Sequence, residues 1–160
     1  MRWQWDGVDF EVLHPDAADY AAEPAPKANA LSCVLRISNG RQAVLLAGDI
    51  EAAQEQRLVD DPAMRPLLRA NVLLVPHHGS KTSSTDAFLR AVQPRHALVQ
   101  AGYRNRYGHP AAPVVARYEA LGTHLVFSPR CGAARWRSAE PQNVACMRED
   151  ERHYWAHDVP

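Results

Sequence analysis

A chain of 160 residues accommodates one domain with a sizeable core. Its 46% hydrophobic and 22% charged residues are ordinary for a globular protein, and no apolar run approaches the roughly eighteen residues of a membrane span. Formal net charge is zero, and Trp3-Gln4-Trp5-Asp6 does not read as part of a signal peptide.

Along the chain, Val8–Leu13 alternates apolar and acidic residues as a half-buried strand does, and His14-Pro15 ends it. Residues 16–27, rich in Ala, Pro and Asp, read as an exposed loop. Leu31–Ile37 and Ala43–Ala47 are two strand candidates, and Asn39-Gly40 between them signals a hairpin. Gly48-Asp49 follows the second, and Ile50–Val59 reads as a short helix. Asn71–Val75 is a buried strand stopped by Pro76, so His77-His78-Gly79-Ser80 falls in the loop leaving it. Ser84 or Thr85 caps a helix to about Val92, Ala97–Gln100 is a further strand, and Gly102–Pro110 is a loop. Pro113 opens a helix that closes at Leu121-Gly122, and His124–Phe127 and Ala133–Arg137 are the last strand candidates. Strands followed by strand–helix units predict a layered α/β fold. Periodicity fades after residue 137, which divides the chain into a domain over 1–137 and a flexible tail over 138–160.

Charge is unevenly spread. Residues 81–137 carry nine basic and two acidic side chains, against seven basic and eleven acidic over 1–80. A basic block of this kind suits a polyanion such as a nucleic-acid backbone, and equally suits solvated helix faces. Cys33, Cys131 and Cys146 form no C-x-x-C pair, so neither a zinc knuckle nor a redox motif is indicated. Cys33 is expected to be a buried free thiol.

Three loops leave strands at their carboxyl ends: Gly48-Asp49, His77-His78-Gly79-Ser80, and Asn105-Arg106-Tyr107-Gly108-His109-Pro110. In α/β sheets such loops converge on one edge, where ligands bind. A carboxylate with two or three imidazoles there suits zinc or manganese. Each also has a plainer reading: Asp49 as a helix cap, one of His77 and His78 as an orienting partner of the other, His109 as a turn residue. The isolated His14, His96, His124, His153 and His157 read as structural or surface residues.

Asn29-Ala30-Leu31-Ser32, Leu45-Leu46-Ala47-Gly48-Asp49, Val75 through Ser84, and Asn105 through Pro110 occur in this order and spacing. That succession, with the lead-in Trp5 through Pro15, resembles the metallo-β-lactamase-like domain of the ComEC family, inner-membrane channels for DNA in natural transformation. The resemblance covers residues 1–137. It implies the carboxyl-terminal portion of an αββα sandwich, with Asp49 as a bridging metal ligand and His109 as the late histidine ligand. His77 and His78 match the family signature, and Asp49, His77 and His78 are the catalytic candidates, His77 also a ligand candidate. The implied cofactor is a pair of divalent ions, zinc or manganese, which would polarise a phosphodiester and lower the pKa of a water. Lys81, Arg104 and Arg106 are the candidate phosphate contacts, and DNA, as a single strand or an incoming duplex, is the expected partner.

The fold's main metal motif, His-x-His-x-Asp-His, occurs nowhere in the sequence. The resemblance implies a metal-dependent phosphodiesterase or nuclease acting on incoming DNA in the parent. The chain is expected to be part of that domain, with weak or no metal binding and no activity by itself. Further expectations are contact with the rest of the parent chain, self-association through the face the other half would cover, and an extracytoplasmic position on a protein of the bacterial inner membrane. Two alternatives stand beside nuclease activity: a non-catalytic DNA-binding or assembly module, and another hydrolase of the same fold.

Overall fold

The computed structural model describes residues 1–150. Seven strands form one mixed sheet, ordered as they occur in the chain: β1 (Arg2–Trp5), β2 (Val8–His14), β3 (Val34–Ser38), β4 (Ala43–Leu46), β5 (Val72–Leu74), β6 (His96–Val99) and β7 (His124–Phe127). The first four pair antiparallel, and β4 through β7 pair parallel. Parallel neighbours need crossovers. Helices α2 (Ala52–Asp60), α3 (Asp86–Val92) and α4 (Ala112–Ala120) lie in those crossovers. The α/β expectation is met.

Local chemistry explains the elements. In the β3–β4 hairpin Gly40 takes φ 81°, while the Asn39 side-chain oxygen accepts from the Arg41 and Gln42 amides. The Thr85 hydroxyl accepts from the Phe88 amide and caps α3. Glu55 on α2 is fully buried, and its carboxylate accepts from the Ser84 and Thr85 amides at 2.5 and 2.7 Å. One side chain thus ties α2 to the start of α3.

The sheet has two unlike faces, because alternate residues of a strand point to opposite sides. Leu45, Leu73, Val75, Ala97 and Val99 share one face and pack with Leu58, Val59, Phe88, Leu89, Val92, Val114 and Tyr118 of the helices. The opposite face follows from the strand register: Phe10 and Val12, Leu35 and Ile37, Val44 and Leu46, Leu74 and Leu98. All eight are half-buried. At the β6–β7 end this face is covered, since Leu98 and Val126 pack with Val144 and the Cys131–Cys146 disulfide.

The structure departs from sequence expectation in several places. Strand β1 and the short helix α1 (Ala17–Ala21) lie where no element was expected. Asp16 and Asp19 form a capping box that holds α1 inside the Ala/Pro/Asp stretch. Cys33 is exposed, not buried: a 3₁₀ turn occupies Ala28–Leu31 and β3 begins at Val34, so Cys33 precedes the ladder. Strand β8 (Ala134–Trp136) lies within the expected 133–137 strand, and regular structure continues past residue 137 in strand β9 (Val144–Cys146) and helix α6 (Met147–Asp150). The β8–β9 hairpin is stapled by its disulfide to helix α5 (Ser128–Cys131). His153 and His157, and the end of the expected tail, lie outside the described residues.

Candidate active-site edge

The carboxyl ends of β4, β5 and β6 bring the expected loops to one edge of the sheet. Gly48 takes φ 56° beside the 28–33 segment, where a Cβ would lie 2.4 Å from the Ser32 hydroxyl. That hydroxyl accepts from the Asp49 amide at 2.8 Å, which holds the Gly48-Asp49 turn against Ser32. The His77 amide donates to the Gly48 carbonyl at 2.9 Å, joining the second loop to the first. Gly79, at φ 83°, backs onto Pro110 so closely that a Cβ would sit 2.6 Å from the proline Cβ. The Ala111 amide donates to the Gly79 carbonyl at 2.9 Å and joins the third loop.

His77 and His78 both adopt left-handed backbone, φ 47° and 55°, rather than extended chain. Both rings therefore serve the same edge. His78 Nδ1 lies 2.7 Å from the Gln100 carbonyl, which can only accept, so the proton sits on Nδ1. The other ring nitrogen, Nε2, lies 3.6 Å from Asp49 Oδ1. A carboxylate oxygen and a ring nitrogen at that distance can share a proton or a cation. Both side chains are about half exposed.

His77 is more fully engaged. Its Nδ1 lies 3.4 Å from Glu51 Oε1 and 3.4 Å from the Thr82 hydroxyl, and its Nε2 lies 3.4 Å from Asn29 Nδ2. The Thr82 hydroxyl donates to Glu51 at 3.0 Å. The His109 ring lies 6.1 Å from that of His77 and stacks on Tyr107 at 5.9 Å. Asn105 receives the His109 amide and donates to the His109 carbonyl, so the loop grips its own histidine. His109 Nδ1 is buried with no partner among the described residues. Burial, then the charges of His77 and His78, holds His109 below the ordinary histidine pKa, favouring a neutral ring.

Glu51 joins the site without having been singled out, and Asn29, quoted only within the family motif, joins it through His77. Glu51 reads in sequence as an acidic residue at a helix start, and its own amide does reach the Gln54 side chain at 3.3 Å. A carboxylate two residues beyond Gly-Asp was the available signal. Among the basic candidates, Lys81, Arg104 and Arg106 are all exposed. The Arg104 and Arg106 guanidiniums lie over the Tyr103 and Tyr107 rings at 5.1 and 4.9 Å. Arg106 also donates to the Tyr107 hydroxyl at 2.7 Å, which links it through Tyr107 to His109. Among the described residues no group of three or more His, Cys, Asp or Glu side chains is close enough to hold a metal ion. No helix among them is long and apolar enough to cross a membrane.

By fold and site this is a mixed α/β protein that gathers an aspartate and three histidines on the carboxyl edge of its parallel strands. No family model matches the chain. It is 41% identical over 155 residues to competence protein ComA of Neisseria gonorrhoeae, covering 97% of this chain and 21% of that protein. It is 35% identical over 130 residues to ComE operon protein 3 of Bacillus subtilis, covering 81% and 16% of the two chains. Recombination protein 2 of Haemophilus influenzae is 36% identical over 115 residues, 72% of this chain and 13% of that one. The chain belongs to the ComEC-type competence-protein family and spans about a fifth or less of the length of these relatives.

Proposed function

We propose that this chain is the carboxyl-terminal portion of a metallo-β-lactamase-type domain that acts as a metal-dependent phosphodiesterase on DNA taken up during natural transformation. The observation that carries the reading is the pairing at the edge. His78 has a proton on Nδ1 and its Nε2 3.6 Å from Asp49, while His109, its ring 6.1 Å from that of His77, keeps a buried Nδ1 with no partner among the described residues. Carboxylate and neutral imidazole are the donors zinc and manganese take. Asp49, His78 and His109 would be this chain's share of the ligands, with the Gln100 carbonyl orienting His78. These three are not close enough to hold an ion by themselves, so donors outside the described residues would complete the set. His77, engaged by Glu51 and Asn29, would position the loop and relay protons. A divalent ion there would supply Lewis-acid polarisation of a phosphodiester. Lys81, Arg104 and Arg106 would hold the phosphates of the strand.

Three donors spread over one edge bind a metal weakly, so the chain by itself is inactive in this reading. The half-buried apolar face of the sheet is where the other half of the sandwich would pack. The disulfide favours an oxidising, extracytoplasmic position. The test is a protein of the relatives' full length carrying this chain, incubated with manganese and an end-labelled oligonucleotide. Cleavage is expected, reduced at least about tenfold by Asp49→Asn. Bound metal without cleavage overturns the reading.

The scarcity of clustered donors favours a second reading, a DNA-guiding module without turnover. It predicts salt-dependent DNA binding indifferent to chelator.

A further inference from the structure

At the opposite edge of the sheet, beside the amino ends of the parallel strands, lies a cleft of about 420 Å³. Four of its lining residues are arginines: Arg36, Arg41, Arg69 and Arg95. They come from separate parts of the chain. Arg36 lies on β3, Arg41 on the β3–β4 hairpin, Arg69 before β5 and Arg95 before β6. Among the described residues none of those lining the cleft is Asp or Glu. Arg36 is paired with Glu11 at 2.9 Å, and Arg69 donates to Gln93. Arg41, Arg69 and Arg95 form no ion pair among the described residues.

Convergence of uncompensated guanidiniums on one concavity opposes folding through mutual repulsion and raises the local concentration of anions. The surroundings are polar and incompletely bonded. Arg36 Nε and Gln42 Oε1 are both buried without a partner, and both residues line the cleft. The walls are held in place: the Asn71 side chain accepts from the Ala43 amide, and its carbonyl accepts from the Arg95 and His96 amides. The guanidiniums thus stand on anchored backbone at the ends of strands. Planar, permanently charged donor forks of this kind recognise the oxygens of phosphate.

We propose that this cleft is a phosphate-binding site, separate from the histidine edge, that takes either the backbone of a single nucleic-acid strand or the phosphates of a free nucleotide. It rests on nothing at the metal edge. The whole chain is titrated at low salt with a labelled single-stranded oligothymidylate, with ATP and with inorganic pyrophosphate, without added metal. Wild type is compared with Arg69→Gln/Arg95→Gln, with Arg41→Gln alone, with Arg95→Lys and with Arg104→Gln/Arg106→Gln. The double cleft variant is expected to lose at least tenfold in affinity, Arg41→Gln to lose less, and Arg95→Lys to retain most of it. For the oligonucleotide, losing two phosphate contacts lowers the salt slope by about 1.4. Loss for the oligonucleotide alone, with neither small anion bound, identifies the strand backbone as the ligand; binding and loss for ATP and pyrophosphate identify a free phosphate ligand. The proposal is overturned if no probe binds at low salt. It is equally overturned if Arg69→Gln/Arg95→Gln and Arg41→Gln both bind every probe as wild type does, or if only the Arg104/Arg106 variant is impaired.

Discussion

Single atoms decide how closely the loops of the candidate site approach one another. Gly79 meets Pro110 where a methyl group would lie 2.6 Å from one carbon and 3.0 Å from another, and its φ of 83° is one that side chains avoid. Gly40 has a similar φ, 81°, but open space where its Cβ would be. Gly40→Ala should therefore cost about 1 kcal/mol, the backbone penalty alone, and Gly79→Ala about 2 kcal/mol or more. Urea denaturation of the two variants checks this, and equal losses would show that the loops part without strain. The His-His-Gly-Ser and Gly-His-Pro loops were legible because histidine is scarce and each follows a strand that ends in an obvious breaker. Glu51 was not legible, because an acidic residue at a helix start has an ordinary explanation. Nor could spacing reveal the left-handed backbone at both His77 and His78, which turns two adjacent rings toward one edge.

At the scale of elements, strands and helices with a strong local signal were readable and those made by tertiary contact were not. Asn39-Gly40 marked the β3–β4 hairpin, and the Ser84-Thr85 pair marked the start of α3, which Thr85 caps. Strand β1 carries no alternation, since its residues are all exposed, and it exists because β2 offers it a ladder. The β8–β9 hairpin depends on the 131–146 disulfide and on contacts with β6. His96 of β6 is buried, its Nε2 lies 3.2 Å from the Pro141 carbonyl, and its Nδ1 lies 3.3 Å from His124 Nδ1 on β7. Burial is the largest influence on His96 and holds its pKa below the ordinary 6.5, with the charges of His124 and Arg95 acting in the same direction. The folded state thus resists taking up this proton. The contribution to stability is present above pH 6.5 and is lost as pH falls through the lower folded-state pKa. Urea midpoints measured from pH 7.5 downward should decline more steeply for wild type than for His96→Leu over that window. Parallel curves would remove His96 as the cause.

For the whole molecule, the two faces of the sheet set its behaviour. One is sealed by α2, α3 and α4. The other presents Phe10, Val12, Leu35, Ile37, Val44, Leu46 and Leu74, half-buried, while Val72 and His96 on the same face are buried and the β8–β9 hairpin packs toward β7. Trp3, stacked on Phe10 with centroids 5.0 Å apart, and Trp5, opposite Val8, extend the apolar surface to the edge strand. A contiguous apolar face on this scale marks a contact surface, and an edge strand beside it offers unpaired backbone groups to a neighbour. Which strands form this face needed the register. Chain molecules without a partner should therefore meet face to face. Sedimentation velocity is expected to show an average mass that rises with concentration. Ile37→Glu/Leu46→Glu, at the centre of the face and remote from the core, should keep the protein monomeric, and Gln4→Glu, on the other side of β1, should not. A wild type that stays monomeric at every concentration, without binding a hydrophobic dye, would mean that the half-buried side chains already cover one another well enough to need no partner.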